Sequence, residues 1–226
     1  MVILLLIMIK LKDILLENTA PDVFVPRRLE YRIERMIKNY IRNGNKGNLD
    51  LSDLNLTKLP EILKDIDVGG SFVCSNNKLT SLNNLPKYVG GSFYCDNNKL
   101  TSLTGIPAYV SGNFVCSNNF LTELPSILKD IDIELFFSCS NNKLTSLNNS
   151  PKSVGGSFYC GNNQLISLKG APTYVGGNFV CSNNKLTSLD GVPKTVGGAF
   201  TCGNNSVQFT EAQVRAVCNV KGEVHV

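Results

Sequence analysis

Hydrophobic and polar residues alternate in a short unit that recurs along most of the chain. In the copy Phe-Tyr-Cys-Asp-Asn-Asn, Phe93 and Cys95 are separated by a single residue. In an extended backbone two such residues point to the same side, so the pattern predicts a half-buried strand with Phe and Cys facing the interior. All copies but the last continue as Asn-x-Leu with a further apolar residue, and most copies have Val-Gly-Gly before the next strand.

The spacing of the copies is nearly constant. A step of 23 residues back from the first repeated cysteine places Leu51 in the cysteine position. A fixed period in this range predicts a solenoid, in which each copy forms one turn and stacks on its neighbours. We therefore predict an α/β fold, rich in β-structure, with about seven to eight turns. The repeated cysteines follow at steps of 21, 21, 23, 21, 21 and 21 residues: Cys74, Cys95, Cys116, Cys139, Cys160, Cys181 and Cys202.

A second level of repetition groups the turns into blocks. Residues 51–115 match residues 116–180 at an offset of 65 residues. The two turns with the longer spacing share the sequence ILKDID, at 62–67 and at 127–132. The pattern indicates that a block of three turns was duplicated in tandem.

The segments on either side of the repeats have a helical period. The sequence RRLEYRIERMIKNYIRNG ends at Asn43-Gly44, and TEAQVRAVC begins with Thr210 and Gln213 in the positions of a capping box. Solenoids need caps to cover their apolar ends, so we predict a helical N-terminal cap and a short helical C-terminal cap. One face of the first helix is apolar, at Leu29, Ile33, Ile37 and Ile41.

These patterns predict three parts: an N-terminal segment and helical cap at 1–48, a solenoid at 49–209, and a cap helix and tail at 210–226. The initial run MVILLLIMI is too short to span a bilayer, which takes about 20 residues. It also lacks the positively charged start of a signal peptide, so we do not expect secretion. We interpret it as a buried strand or helix, or as residues upstream of a natural start at Met8.

Composition and charge add two constraints. A hydrophobic content of 42% indicates a packed core. The net charge of +4 is small, and its excess lies in the first 50 residues, which hold nine basic and six acidic residues. Because such a charge is too low to indicate a nucleic-acid-binding protein, we expect neither nucleic acid nor a membrane as the main partner.

The unit Phe-x-Cys-x-x-Asn-x-Leu-Thr-x-Leu resembles the leucine-rich repeat LxxLxLxxNxL, with Phe and Cys in place of the strand leucines. Its continuation is similar to the short, proline-containing repeats of bacterial effector proteins and to repeat proteins of tailed phages and other large DNA viruses. The resemblance covers residues 51–209 and implies a leucine-rich-repeat coil. The Gly-Gly pair and a period one residue longer than the effector type depart from that pattern.

The repeated cysteines are open to three interpretations. A zinc site needs about four converging ligands, often as CxxC pairs or with histidines, and the chain has neither CxxC pairs nor more than one His. Disulfides between neighbouring turns would leave one of the seven cysteines unpaired. We therefore predict free thiols that pack as small apolar core residues. Their number indicates a reducing compartment, which is the cytoplasm, or the host cytoplasm or virion for a viral protein.

Two rows of asparagines follow the cysteines. We predict that the row three residues after each cysteine points inward and bonds the backbone, and that the row before it forms turns. The inward row is Asn77, Asn98, Asn119, Asn142, Asn163, Asn184 and Asn205. The turn row is Asn76, Asn97, Asn118, Asn141, Asn162, Asn183 and Asn204.

The residues of the chain do not form a catalytic pattern. The one histidine, His225, is predicted to lie in the C-terminal tail, which leaves no partner for a cysteine or serine nucleophile. The Gly-Gly pairs recur in the ordinary turns, with Ser111-Gly112 in one of them, and are interpreted as tight bends, because the GxxxxGK[ST] phosphate-binding pattern is absent. We predict a protein without enzymatic activity, cofactor or metal.

The architecture predicts recognition of a protein partner on the strand face. Most outward positions are small or polar, but the sequence IELFFSC replaces the usual Gly-Gly-Ser with Glu134, Leu135 and Phe136. Aromatic residues of this kind anchor protein interfaces, although drift after the duplication would leave the same residues. The predicted partner-binding residues are Tyr94, Val115, Leu135, Phe136, Tyr159 and Val180.

Two other functions remain open. The near-identical turns also suit a structural or self-assembling component, such as part of a virion. The first predicted helix is basic and could bind nucleic acid or a membrane surface, although Glu30 and Glu34 interrupt its charge. Its basic residues are Arg27, Arg28, Arg32, Arg35, Lys38 and Arg42.

Overall fold

A computed structural model describes residues 26–226. The interpretation of the apolar N-terminal run and the start at Met8 therefore lie outside the described residues. The chain divides into two units between residues 36 and 37. The first helix, α1 (Pro26–Arg42), includes residues of both units, and the second unit contains the repeats. No helix in the described range is both long and apolar enough to cross a membrane.

Helix α1 ends where the sequence predicted. Gly44 and Asn45 have φ angles of 72° and 58°, so the backbone turns left-handed and the helix ends. Tyr40 is buried near this end, and its hydroxyl donates to the Asn45 carbonyl at 2.6 Å and accepts from the Gly69 N–H at 3.0 Å. Of the predicted apolar face, Ile33 and Ile37 are buried, while Leu29 and Ile41 are half-buried.

The repeats form a coil whose strands are all parallel and only two residues long. One nine-stranded sheet runs through every turn. Each strand pairs with the strand of the next turn in register, for example Phe93 with Phe114. Its strands are β1 (Leu49–Asp50), β2 (Phe72–Val73), β4 (Phe93–Tyr94), β6 (Phe114–Val115), β7 (Phe137–Ser138), β9 (Phe158–Tyr159), β11 (Phe179–Val180), β13 (Phe200–Thr201) and β15 (Val224–His225).

A second line of strands precedes the first in each turn, and it is interrupted. One part has two strands, β3 (Tyr88–Val89) and β5 (Tyr109–Val110), and Val68 extends it by a single bridge. The other part has four strands, and Ile133 extends it by a bridge. The two parts are not joined between Val110 and Ile133. The four strands are β8 (Ser153–Val154), β10 (Tyr174–Val175), β12 (Thr195–Val196) and β14 (Asn219–Val220).

The core consists of columns of identical side chains, one from each turn. The seven phenylalanines that lie two residues before the repeated cysteines are fully buried. Neighbouring rings in this column have centroids 5.2–6.1 Å apart, as expected for turns stacked at the spacing of parallel strands. Leu49 and Leu51 take the Phe and Cys positions in the first turn and are also buried. The predicted alternation of inward and outward residues is therefore confirmed.

The two longer turns contain an extra element. Glu61–Asp65 and Ser126–Asp130 are 3-10 helices, and each buries one leucine, Leu63 or Leu128. The two additional residues of the 23-residue spacing are thus accommodated in a short helix, and the strands on either side keep their register.

The C-terminal segment differs from the prediction. Helix α2 (Glu211–Val217) has the predicted capping box between Thr210 and Gln213. The residues after it do not form a tail, because Asn219 pairs with Thr195 and Val224 pairs with Phe200. They add one strand to each line of strands, and His225 lies in β15. This turn lacks the Phe and Cys of the repeat, which is why its sequence did not reveal it.

The Gly-Gly pairs lie at the corner between the two lines of strands, as bends were expected to. None of these pairs needs a positive φ angle; the requirement for glycine is close approach. A Cβ added to Gly176 would overlap the carbonyl oxygen of Gly155 in the preceding turn. Successive corners are joined by backbone bonds, such as Gly177 N–H to Gly156 carbonyl at 2.7 Å.

We expect the change Gly176→Ala to destabilise the protein by about 2–4 kcal/mol, because stacked backbones must separate to admit the methyl group. Chemical denaturation monitored by circular dichroism measures this loss. Gly203→Ala is the matched control, since Gly203 also lacks a positive φ and its nearest neighbouring atom is Val226 C at 3.6 Å. Equal stability losses in the two variants would contradict the explanation by close approach.

Candidate functional site

The exposed side of the nine-stranded sheet, here called the strand face, comprises the outward residues from three before to two after each cysteine position. The residues one before the cysteine form a column in register: Tyr94 pairs with Val115, and Tyr159 pairs with Val180. Tyr94, Val115, Tyr159 and Val180 are half-buried, because each side chain is covered partly by its neighbours above and below. The predicted residues therefore lie on five consecutive turns.

The centre of this surface is Phe136. Its ring packs edge-on against Tyr159, with centroids 6.2 Å apart and planes at 82°. Asn113, which the sequence did not single out, lies between Tyr94 and Phe136. Its Nδ2 donates to the Tyr94 hydroxyl at 2.8 Å, and its Oδ1 accepts from the Phe136 N–H at 3.1 Å.

Leu135 lies at the edge of this surface and not in its centre. It occupies the second Gly position of the corner, and 53% of its surface is exposed. We define the Phe136 patch as the six predicted residues together with Asn113: Tyr94, Asn113, Val115, Leu135, Phe136, Tyr159 and Val180.

A row of polar side chains three residues before the cysteines binds successive turns together, and Phe136 interrupts it. In this row, a side-chain oxygen accepts a hydrogen bond from the N–H at the same position in the next turn. Phe136 has no acceptor, so the Ser157 N–H has no partner of this kind. Ala199 leaves the Glu223 N–H in the same situation. In each bonded pair the side chain of the first residue accepts from the N–H of the second, at 2.8–3.1 Å. The pairs are Asn48 and Ser71, Ser71 and Ser92, Ser92 and Asn113, Asn113 and Phe136, Ser157 and Asn178, and Asn178 and Ala199.

The turn that carries Phe136 also differs at its corner. In the described residues, the backbone bond between successive corners is missing only where Leu135 follows Gly112. The next corner restores it, with the Gly156 N–H bonded to the Leu135 carbonyl at 2.5 Å. The second line of strands is interrupted at the same place. The departure from Gly-Gly-Ser therefore coincides with a local change in the backbone.

The cysteines are all free and buried. Burial raises the pKa of the thiol of Cys139 to about 12, and it raises the pKa of Cys202 and Cys218 to about 11. For the thiols in the middle of the column, such as Cys160, burial raises the pKa well above its ordinary value, and neighbouring cysteines add to the shift. Groups of His, Cys, Asp and Glu that could hold a metal are absent from residues 26–226. The predicted column of apolar thiols is confirmed.

Both asparagine rows act as predicted. Each residue of the inward row is held by several backbone groups; Asn142 Nδ2 donates to the carbonyls of Cys116 and Cys139 at 3.1 and 3.0 Å, and its Oδ1 accepts from the Leu121 N–H at 3.0 Å. The residues of the turn row are left-handed, with φ between 54° and 57°. Asparagine tolerates this conformation better than most residues do.

The remaining chemical candidates lie apart from one another. His225 is exposed and lies 3.4 Å from a carboxylate oxygen of Glu223. On helix α1, Arg32 and Arg35 are exposed and share the helix surface with Glu30, which is also exposed. Arg42 is exposed and Lys38 is half-buried, and the side chains of Arg27 and Arg28 are outside the described set.

Two solved structures are similar to this one. The leucine-rich-repeat domain of a Shigella effector has a TM-score of 0.64 and 20% sequence identity, over 89% of this chain and 92% of that chain. YopM from Yersinia enterocolitica has a TM-score of 0.55 and 23% identity, over 84% of this chain but only 44% of its own. Neither a protein-family model nor a curated protein sequence matches the chain. The repeat pattern, the parallel-strand coil and these similarities show that the chain folds as a leucine-rich-repeat solenoid.

Proposed function

We propose that the protein is a recognition scaffold that binds another protein through the Phe136 patch and catalyses no reaction itself. The observation that carries the proposal is that Phe136 interrupts a row of hydrogen bonds which a Ser or Asn would continue. Each such bond contributes about 0.5–1.5 kcal/mol to stability. A residue that lowers the stability of the coil, and places an aromatic ring on its outer surface, is more easily explained by binding than by folding.

The composition of the patch supports the same function. Binding energy at interfaces is concentrated in a few aromatic anchors surrounded by less important contacts. Phe136 and Tyr159 form such a pair, and Leu135 adds exposed apolar surface beside them. In-register strand pairing and the two bonds of Asn113 position these residues, so fewer conformations are lost when a partner binds. Solenoids present extended surfaces of this type for binding.

The proposed partner would be met in a reducing compartment. Eight buried free thiols are compatible with a cytoplasm in which disulfides do not persist. Their raised pKa values keep them protonated and unreactive near neutral pH, so we assign them to the core and to no catalytic role.

We expect the change Phe136→Ser to abolish partner capture while the fold is retained. The variant loses the ring but gives the Ser157 N–H an acceptor, so its stability should stay within about 1 kcal/mol of that of the original protein. The measurement is affinity capture from lysate of the native host, with quantitative mass spectrometry of the proteins retained by each variant.

Ala199→Ser is the matched control. It also restores one bond of the polar row, toward the Glu223 N–H, but it leaves the Phe136 patch unchanged. Proteins that are retained by the original protein and by Ala199→Ser, and lost with Phe136→Ser, are the predicted partners. Identical retention by all three proteins would refute the proposed site.

A further inference from the structure

We propose that the partner contacts the Phe136 patch with a basic segment whose arginine side chains lie against the aromatic rings. This inference rests on the proposed function and specifies the chemistry of the partner. It follows from the distribution of charge over the strand face.

The strand face contains no lysine or arginine. All 22 basic residues of the chain lie outside the positions from three before to two after each cysteine position, although the net charge of the protein is +4. The same positions hold the carboxylates Asp50, Asp53, Asp96 and Glu223. At the corner beside them, Glu134 is acidic in the turn of Phe136, while Lys46 and Lys221 take the same corner position in the first and last turns. The strand face is thus acidic on a molecule that is basic as a whole. A partner that approaches it with positive charge is attracted, and an acidic partner is repelled.

Two of these carboxylates border the Phe136 patch. Asp96 follows Tyr94 by two residues and therefore lies on the same side of the strand. Its oxygens accept hydrogen bonds from neutral donors, the hydroxyl of Ser75 at 2.5 Å and Nδ2 of Asn97 at 2.6 Å. Glu134 lies at the corner in the same turn as Phe136 and is exposed. Within residues 26–226 neither carboxylate forms an ion pair.

Arginine suits this combination of groups better than lysine does. Its planar guanidinium stacks on aromatic faces and also binds a carboxylate through two parallel hydrogen bonds. In the Phe136 patch the rings of Phe136 and Tyr159 lie at nearly right angles, so one ring presents a face where the other presents an edge. Glu134 lies in the same turn as Phe136, and Asp96 lies two turns away beside Tyr94, so arginines along one segment can meet a ring and a carboxylate on the same patch.

The test is a selection of random peptides displayed on phage, with the immobilised full-length protein as bait. We expect the recovered peptides that fail to bind Phe136→Ser to be enriched in arginine over the unselected library. Synthetic copies of these peptides should bind Asp96→Asn/Glu134→Gln about tenfold more weakly, as expected for the loss of desolvated charge pairs. Asp67→Asn/Asp132→Asn is the matched control, because it changes the net charge equally at exposed positions on the second line of strands. Binding to this control should not change.

Each outcome decides between the two proposals. Peptides that need Phe136 but are not enriched in arginine would overturn this inference and leave the proposed function in place. An equal loss of affinity in both double variants would also overturn it, because only the total charge would then matter. If no recovered peptide depends on Phe136, both proposals fail. Saturable binding of a second copy of the chain to the Phe136 patch would show that the patch mediates self-association. That result would overturn the inference of a basic partner segment.

Discussion

Raising the pH from neutral to about 10.5 is expected to unfold this protein, because unfolding releases thiols that titrate near pH 8.5. In the folded state burial raises the thiol pKa to about 12 for Cys139 and well above its ordinary value for Cys95, Cys116, Cys160 and Cys181. A buried thiol therefore keeps its proton at a pH where an unfolded thiol has lost it. The stabilisation by this difference is fully present below the unfolded pKa and is lost as the pH rises toward the folded pKa.

The effect is large because the thiols act together. Each fully buried thiol lowers the free energy of unfolding by about 1.4 kcal/mol per pH unit once the pH exceeds the unfolded pKa. Several thiols over about 2 units give a loss on the order of 10 kcal/mol, which equals the stability of a typical domain. Urea denaturation in reducing buffer, at a series of pH values, measures the dependence.

Cys139→Ala provides the control for this prediction. The variant has one titrating thiol fewer, so the slope of its unfolding free energy above the unfolded thiol pKa should be shallower by about 1.4 kcal/mol per pH unit. Stability that is constant up to about pH 10 would show that the thiols ionise as readily in the folded protein as in the unfolded chain.

Replacing Asn142 by alanine should cost about 3–5 kcal/mol, the second large effect that we expect. Its amide group is buried and bonds the Leu121 N–H and the carbonyls of Cys116, Cys139 and Ser140. Alanine leaves these groups without a partner in a dry interior, and each unsatisfied buried group costs about 1–3 kcal/mol. Chemical denaturation compares the variant with the original protein.

The adjacent residue gives a matched control. Asn141 is exposed and left-handed, with a φ of 55°, and glycine adopts this conformation without strain. Asn141→Gly should therefore change the stability by less than about 1 kcal/mol. A similar loss in the two variants would mean that the inward amide does not bind the turns together.

Features that depend on one residue position repeated in every turn could be predicted from the sequence. The inward Phe and Cys, the two asparagine rows and the end of helix α1 at Asn43-Gly44 are of this kind. The repeat period, the alternation of inward and outward residues and the turn-forming residues determine such features within one turn. The same feature then recurs in each stacked turn. The capping box at Thr210 and Gln213 is equally local.

Features that depend on contacts between turns could not be predicted in the same way. Asn113 bonds Tyr94 and Phe136, which are 19 and 23 residues away, and both contacts depend on the register. The predicted tail forms strands because Val220 and Val224 have partners in the preceding turn, although the repeat motif is absent. The requirement for glycine at Gly176 is likewise set by the carbonyl of another turn.

The interruption between Val110 and Ile133 bears on how such a chain grows. The two duplicated blocks meet in this turn, and only the nine-stranded sheet is continuous across it. A newly inserted block must therefore match its neighbour along one line of strands instead of two, together with the backbone bonds that follow the asparagine rows, such as Lys143 N–H to the Leu121 carbonyl at 2.8 Å. A gene that gains or loses a whole block at this seam therefore has one register fewer to preserve than within either block, and a single recombination event yields a longer or shorter coil.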